Sequence, residues 1–184
     1  MLAPAPLFIA DHPALDILNT VITQEGAAVD TWQSDADVLQ WLAASGMAVP
    51  AAMPGLLPTA RDFREQWRAL VAQRQAGDAP DLASLNRWLA QAVRSLQVTH
   101  GESGEWGLAV HYAQASAAQL LAPVVEAAAD LLVNGDWGRV HKCEDHGCSL
   151  LFYDRSKAQR RRWCSMALCG NRNKVASFRK RQQQ

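Results

Sequence analysis

The chain has 184 residues, enough for one ordinary domain or for one domain plus a small module. Hydrophobic residues make up 49% and charged residues 20%, a globular balance that excludes a disordered or fibrous chain. The formal charge is zero but unevenly placed. Residues 1–138 hold six Lys+Arg against fifteen Asp+Glu, and residues 139–184 hold twelve against three, so a body of −9 carries a tail of +9 that suits a polyanion partner.

No Lys or Arg precedes the short apolar N-terminal stretch, so no export signal is expected and the expected setting is cytoplasmic. Residues 38–60 are uncharged for 23 positions, but Gly46, Pro50, Pro54, Gly55 and Pro58 make them a helix end and a loop, with no membrane partner.

Residues 1–10 read as irregular. Pro13 opens a first helix, capped by Asp11 or His12, with Ala14, Leu15, Ile17, Leu18, Val21 and Ile22 at helical spacing. Ser34 with Asp37 opens a second that buries Val38, Leu39, Leu42 and Trp41 and stops at Gly46. After a loop over 47–58, Thr59 with Asp62 opens a third carrying Phe63, Trp67, Leu70 and Val71, ending near Gly77. Pro80 begins a fourth with Leu82, Leu85, Leu89 and Val93 on one stripe. Residues 95–99 and 106–112 flank His100-Gly101-Glu102-Ser103-Gly104 as a hairpin. An apolar helix over about 114–134 follows, kinked or split by Pro123 and ended by Gly135. No internal repeat is visible, and composition breaks at about 136–142. The expected fold is mainly α with a small β-hairpin (α+β): a helical domain over 1–138, then a small module over 139–184.

All four cysteines lie in that module: Cys143, Cys148, Cys164 and Cys169, spaced C-x4-C, x15, C-x4-C. Two paired-cysteine loops fit a four-thiolate tetrahedral zinc site, structural because no position is left for water. So short a segment cannot fold by burial alone. Zinc supplies on the order of 10–16 kcal/mol in comparable modules. One Zn2+ per chain is the expected cofactor. Two disulfides or an iron–sulfur cluster remain as alternatives, and His141 or His146 stands close enough to replace a thiolate.

The run Cys143-Glu-Asp-His-Gly-Cys148-Ser-Leu-Leu-Phe-Tyr-Asp154, followed by Arg160-Arg161-Arg162-Trp163-Cys164-Ser165-Met166-Ala-Leu-Cys169-Gly170-Asn171-Arg172-Asn-Lys174, resembles the CGNR zinc-finger module over residues 139–181. The segment Phe8-Ile-Ala-Asp-His-Pro-Ala-Leu15-Asp16-Ile-Leu-Asn19-Thr20 resembles the opening of the ABATE domain that usually precedes this finger, with Ala10 and Asp11 where relatives often have glycines. The resemblance implies a bacterial stress-response transcription regulator, its finger binding DNA and its N-terminal domain sensing a ligand.

The residues agree. Arg155, Lys157 and Arg160–Arg162 lie between the cysteine pairs, and Arg172, Lys174, Arg179, Lys180 and Arg181 follow the last one. Asn171 is a suitable N-cap for a final helix to about Gln182, with Val175 and Phe178 on the zinc core and cations on another side. Arg160, Arg161, Arg162, Arg172, Lys174, Arg179, Lys180 and Arg181 are the candidate nucleic-acid contacts, with Arg172 and Arg179 suited to guanine edges. Duplex DNA is the first expected partner; RNA is the alternative, with Phe152, Tyr153 and Trp163 stacking on bases unless they form the core.

His12, Asp16 and Asn19 share one side of the first helix and are the candidate ligand-binding residues for a small molecule. No nucleophile–base pair, phosphate loop or paired carboxylates appear, so no enzyme is expected. A homodimer is the base-rate expectation for a regulator. The competing readings are a zinc-dependent RNA-binding or protein-interaction module, and an enzyme in residues 1–135 with the tail as a localisation device.

Overall fold

The computed structural model describes residues 6–182, without the side chains of Ser177 and Lys180. It is mainly helical with three antiparallel strand pairs. The chain forms two compact units. One holds residues 34–129; the other joins residues up to 33 with those from 130 onward. The composition break near 138 is a feature of sequence, whereas in space the N-terminal segment belongs with the cysteine-rich end.

In the first of these units, α2 (Asp35–Ala44) opens on the expected capping box. The Ser34 side chain accepts from the Asp37 N–H, and Asp37 accepts from the Ser34 N–H at 2.8 Å. Helix α3 (Leu56–Ala76) begins three residues before Thr59. The Asp35 carboxylate explains the early start, accepting from the N–H groups of Gly55 (3.1 Å) and Leu57 (2.6 Å), while Pro58 sits in the first turn where no N–H is needed. Helix α4 (Leu82–Leu89) is capped by Asp81 and buries Leu85 and Trp88 rather than the whole predicted stripe. The indole of Trp88 meets Phe63 edge-on at 5.3 Å and donates to Gln66. Val93 lies beyond the helix end and is exposed.

Strands β3 (Arg94–His100) and β4 (Trp106–Tyr112) form the predicted hairpin, in register from Arg94↔Tyr112 to His100↔Trp106. The apolar helix is split as Pro123 requires, into α5 (Ala117–Leu120) and α6 (Ala122–Asn134). Val38, Trp41, Leu42, Phe63, Trp67, Leu121 and Val125 form this unit's core.

In the other unit, α1 is only Pro13–Asp16, capped by His12, whose Nδ1 accepts from the Ala14 N–H. A single 3-10 turn, Leu18–Thr20, leads into β1 (Val21–Gln24), paired with β2 (Ala27–Asp30). The predicted first helix therefore ends before Val21 and Ile22. Four successive β-branched residues, Thr20 to Thr23, favour a strand, and Glu25-Gly26 supply the two positive φ angles (51° and 82°) of a tight hairpin turn. Strands β5 (Val140–Lys142) and β6 (Leu151–Tyr153) flank the first cysteine pair. A π turn, Met166–Gly170, runs straight into α7 (Asn171–Gln182). Asn171 is thus inside a helical run; Ser165 caps that run instead, accepting from the Leu168 N–H.

Candidate metal centre and basic surface

Cys143 leaves the end of β5, Cys148 precedes β6, and Cys164 and Cys169 flank the start of the π turn. Their four Sγ atoms lie within 4.8 Å of one another. Cys148–Cys164 is 3.8 Å and Cys164–Cys169 is 3.5 Å, far longer than a disulfide, and all four are free thiols. Zinc bound at about 2.3 Å to four sulfurs needs edges of about 3.8 Å, so this arrangement fits one zinc ion. Neither His141 nor His146 belongs to the group. His141 lies on β5 with its ring 5.7 Å from that of Phe152, and His146 is exposed.

The electrostatics ask for a cation. Burial pushes the Cys148 thiol up to about 12, with the neighbouring sulfurs adding to the rise, and the same causes push Cys164 up further. At Cys143 burial acts upward too, but N–H groups of Cys164 and Asp145 donate to its sulfur and hold it below the usual range. A divalent ion is what allows all four to be thiolates.

The surrounding bonds fix the ligand loops. Asp145 is buried. One of its oxygens accepts from the Gly147 N–H at 2.9 Å, turning the first loop. The other accepts from Asn173 Nδ2 (2.6 Å) and pairs with Arg172 Nε (3.0 Å), tying α7 to that loop. Arg172 also donates to Cys169 Sγ at 3.1 Å. Asp154 is fully buried and accepts from the N–H groups of Ser156 (2.8 Å) and Arg161 (2.9 Å). Although burial raises its carboxyl, these hydrogen bonds win and hold it below the usual range. Asp145, Asn173 and Asp154 were missed by the sequence reading; the Asp-x-Gly of the first loop was the available signal for an Asx turn.

The module's apolar core is Cys143, Leu150, Phe152, Cys164 and Cys169, sealed by Ile9, Ile22 and Trp163. Val175 and Phe178, predicted on that core, are instead 50% and 55% exposed, because the N-terminal segment covers it. The segment is fastened by its own motif. Asp16 Oδ1 accepts from the N–H groups of Ile9 (3.0 Å) and Ala10 (2.9 Å), and the Ala10 carbonyl accepts from Tyr153 on β6 (2.8 Å). Asn19 donates to the Leu151 carbonyl (2.8 Å) and accepts from the Leu151 N–H (2.9 Å).

The structure gives His12, Asp16 and Asn19, the candidate ligand-binding residues, bonds within the fold. His12 Nδ1 serves as a cap, Asp16 Oδ1 as a backbone anchor and the Asn19 amide as a clasp, and Asp16 and Asn19 are buried. Asp11 adopts φ 57°, a backbone region that aspartate tolerates better than most side chains.

Two of the candidate nucleic-acid arginines also make bonds within the fold. Arg161 pairs with Asp11, donates to the carbonyls of Ile9 (2.9 Å), Trp163 (3.0 Å) and Cys164, and lies 4.4 Å over the Phe152 ring. Arg172 buttresses the metal site, while most of its side chain stays exposed. Arg162 is exposed, paired with Glu144 at 2.6 Å and stacked on Trp163. Arg160, Lys174, Arg179 and Arg181 are exposed, and the Lys180 side chain lies outside the described residues.

These cations border hollows that share lining residues. A cleft of about 630 Å³ is lined by Arg160, Arg162, Trp163 and Lys174 among others. A second of about 380 Å³ shares Arg162, Trp163 and Lys174 and adds Arg181. A third of about 440 Å³ runs past Lys142 and Arg160. Phe152 is buried core and Tyr153 is half-buried, its hydroxyl accepting from the Asp136 N–H; of the three aromatics, Trp163 is the one that borders the clefts.

The fold and site together define a protein with a four-thiolate zinc module at one end of a mainly helical chain. The chain belongs to the ABATE family, whose model, described as "Putative stress-induced transcription regulator", matches residues 11–135. Residues 139–182 match the CGNR zinc finger. No curated protein matches the chain. No helix among the described residues is long and apolar enough to cross a membrane.

Proposed function

We propose that the protein is a transcription regulator that grips duplex DNA through its zinc module, and that the zinc is structural. The observation that carries this reading is the set of exposed cations, Arg160, Arg162, Lys174 and Arg181, around clefts that share lining residues beside a metal site whose neighbouring bonds hold the cysteine loops in place. The metal fixes the loops, and the loops present charge at a spacing a phosphate backbone can meet. Arg179 on α7 and Arg162 are the cations best placed by exposure to reach base edges. The role of the chain is binding rather than catalysis. The family description supports a stress-induced role; a cytoplasmic setting in a bacterium and a small molecule sensed by the N-terminal domain complete the proposal.

The test is affinity for random duplex against salt. With about four exposed cations on phosphates, log K falls against log salt with a slope near −4. Single changes Arg160→Ala, Lys174→Ala and Arg181→Ala each flatten the slope by about one. Salt-independent binding refutes the reading. Because Trp163 borders the clefts, single-stranded RNA is the comparison ligand. Tighter binding to it at equal salt, lost on Trp163→Ala with zinc content unchanged, transfers the module to RNA.

A further inference from the structure

The β3–β4 hairpin has two unlike faces. Ser95, Gln97, Thr99, Gly107, Ala109 and His111 alternate onto one. The other carries Leu96, Val98, Trp106, Leu108 and Val110, which are 61%, 66%, 76%, 64% and 41% exposed. That is on the order of 600 Å² of contiguous apolar surface, at the top of what a monomer leaves open. A two-stranded hairpin is marginal in water, and its stability depends on something covering the apolar face.

We propose that a second copy of this chain covers it, the two hairpins packing face to face about a twofold axis that runs across the strands. Area supports this occupant. The face against itself buries roughly 1,200 Å², the lower edge of a specific interface. A flat face with one apolar side is also self-complementary, as a twofold pair requires.

Charge then selects between the two possible twofold arrangements. The hairpin tip carries Glu102 and Glu105, while the opposite end carries Arg94, paired with Glu126 at 3.4 Å and so close to neutral. An axis along the strands brings four glutamates together at one end, whereas an axis across them separates the two acidic tips and sets each against the partner's neutral Arg94–Glu126 end. In the second arrangement Leu96 meets Val98 of the other copy, Leu108 meets Val110, and Trp106 lies over the Tyr112–Arg94 end, where ring and guanidinium attract. The inference does not depend on what the zinc module binds.

The experiment is sedimentation of the zinc-loaded full chain from about 1 to 100 μM, the range such an area commands. A reversible dimer is expected. Leu108→Glu raises its dissociation constant at least about 100-fold. Leu108→Ala, which adds no charge, raises it about tenfold, and Gln97→Glu on the opposite face leaves it unchanged. Circular dichroism and zinc content report that each variant is folded. A monomer at 100 μM overturns the proposal, as does a dimer indifferent to both Leu108 changes. A monomeric chain that co-sediments with zwitterionic lipid vesicles through Leu108 also overturns it, since the face would then take lipid.

Discussion

Asp16 offers a test with a worked sign. Its side chain is 5% exposed and holds the N-terminal segment through two backbone N–H groups on a single oxygen. Burial pushes its carboxyl from 3.8 up to about 6; the Ala10 and Ile9 N–H groups pull it back, and the Asp11 charge adds to the rise. The folded chain therefore holds this proton more tightly than the unfolded chain. The associated stability is complete below about pH 4 and is lost as pH rises through about 6. That rise corresponds to about 3 kcal/mol, which is the cost of keeping the carboxylate buried at pH 8.

Asp16→Asn keeps an oxygen that can accept both N–H groups and removes the charge, while its new NH2 lacks a ready partner at a cost of about 1 kcal/mol. The variant is expected to be about 1–3 kcal/mol more stable than the parent at pH 8, with the difference shrinking toward pH 5. Urea unfolding of zinc-loaded protein at several pH values between 5 and 8 measures it; lower pH is avoided because protonated thiols release the metal. A variant less stable than the parent at pH 8, or a difference flat across that range, refutes the account. Asp154 acts oppositely: its depressed carboxyl contributes stability above its unfolded value that is lost as pH falls.

Elemental analysis should give one zinc per chain, and either a chelator or Cys164→Ser should collapse hydrogen-exchange protection in β5, β6 and α7. Protection that survives metal removal would show that zinc does not hold the module. Asn19→Ala leaves the Leu151 N–H and carbonyl without their partner and should lower unfolding free energy by about 2–4 kcal/mol, measured in urea with metal present. Arg161→Met and Arg160→Ala should separate structure from binding. The first destabilises by about 2–4 kcal/mol because Asp11 and three carbonyls lose their donor. The second leaves stability within about 0.5 kcal/mol. Equal loss of stability in the two would refute the division.

The legible parts of the sequence were those with local causes. The Ser34–Asp37 box, the stop at Gly77, the split at Pro123 and the 94–112 hairpin each follow from residues a few positions apart. The four-cysteine site was readable for a similar reason, since two paired loops restrict where the thiols can meet. What failed depended on distant partners. α3 starts early because Asp35 reaches across twenty residues of sequence. The first helix stops at Asp16 because its polar groups answer to the backbone of residues 9–10 and, through Asn19, to Leu151. Apolar spacing alone could not tell Val21 and Ile22 of a strand from the next turn of a helix.

The same cause explains why the structural bonds of the arginines and of Asp16 and Asn19 were not legible in the sequence. A cluster of basic side chains near a metal site reads as one surface, yet it divides by partner: Arg161 and Arg172 meet buried or half-buried acceptors, while Arg160, Lys174 and Arg181 meet solvent. The acceptors for Arg161 come from residues 9 and 11, some 150 positions away. The N-terminal motif and the module that follows position 139 therefore build one joint. Asp16 shapes the segment, Asn19 clasps β6, and Arg161 closes from the other side. A module with too little apolar surface of its own thus combines two remedies, a metal on one side and Ile9 and Ile22 on the other. It follows that a fragment starting at residue 139 lacks part of its core. Even with zinc bound, it should exchange the Leu151 and Tyr153 amides, which lose Asn19 and Ala10 as partners, faster than the full chain does.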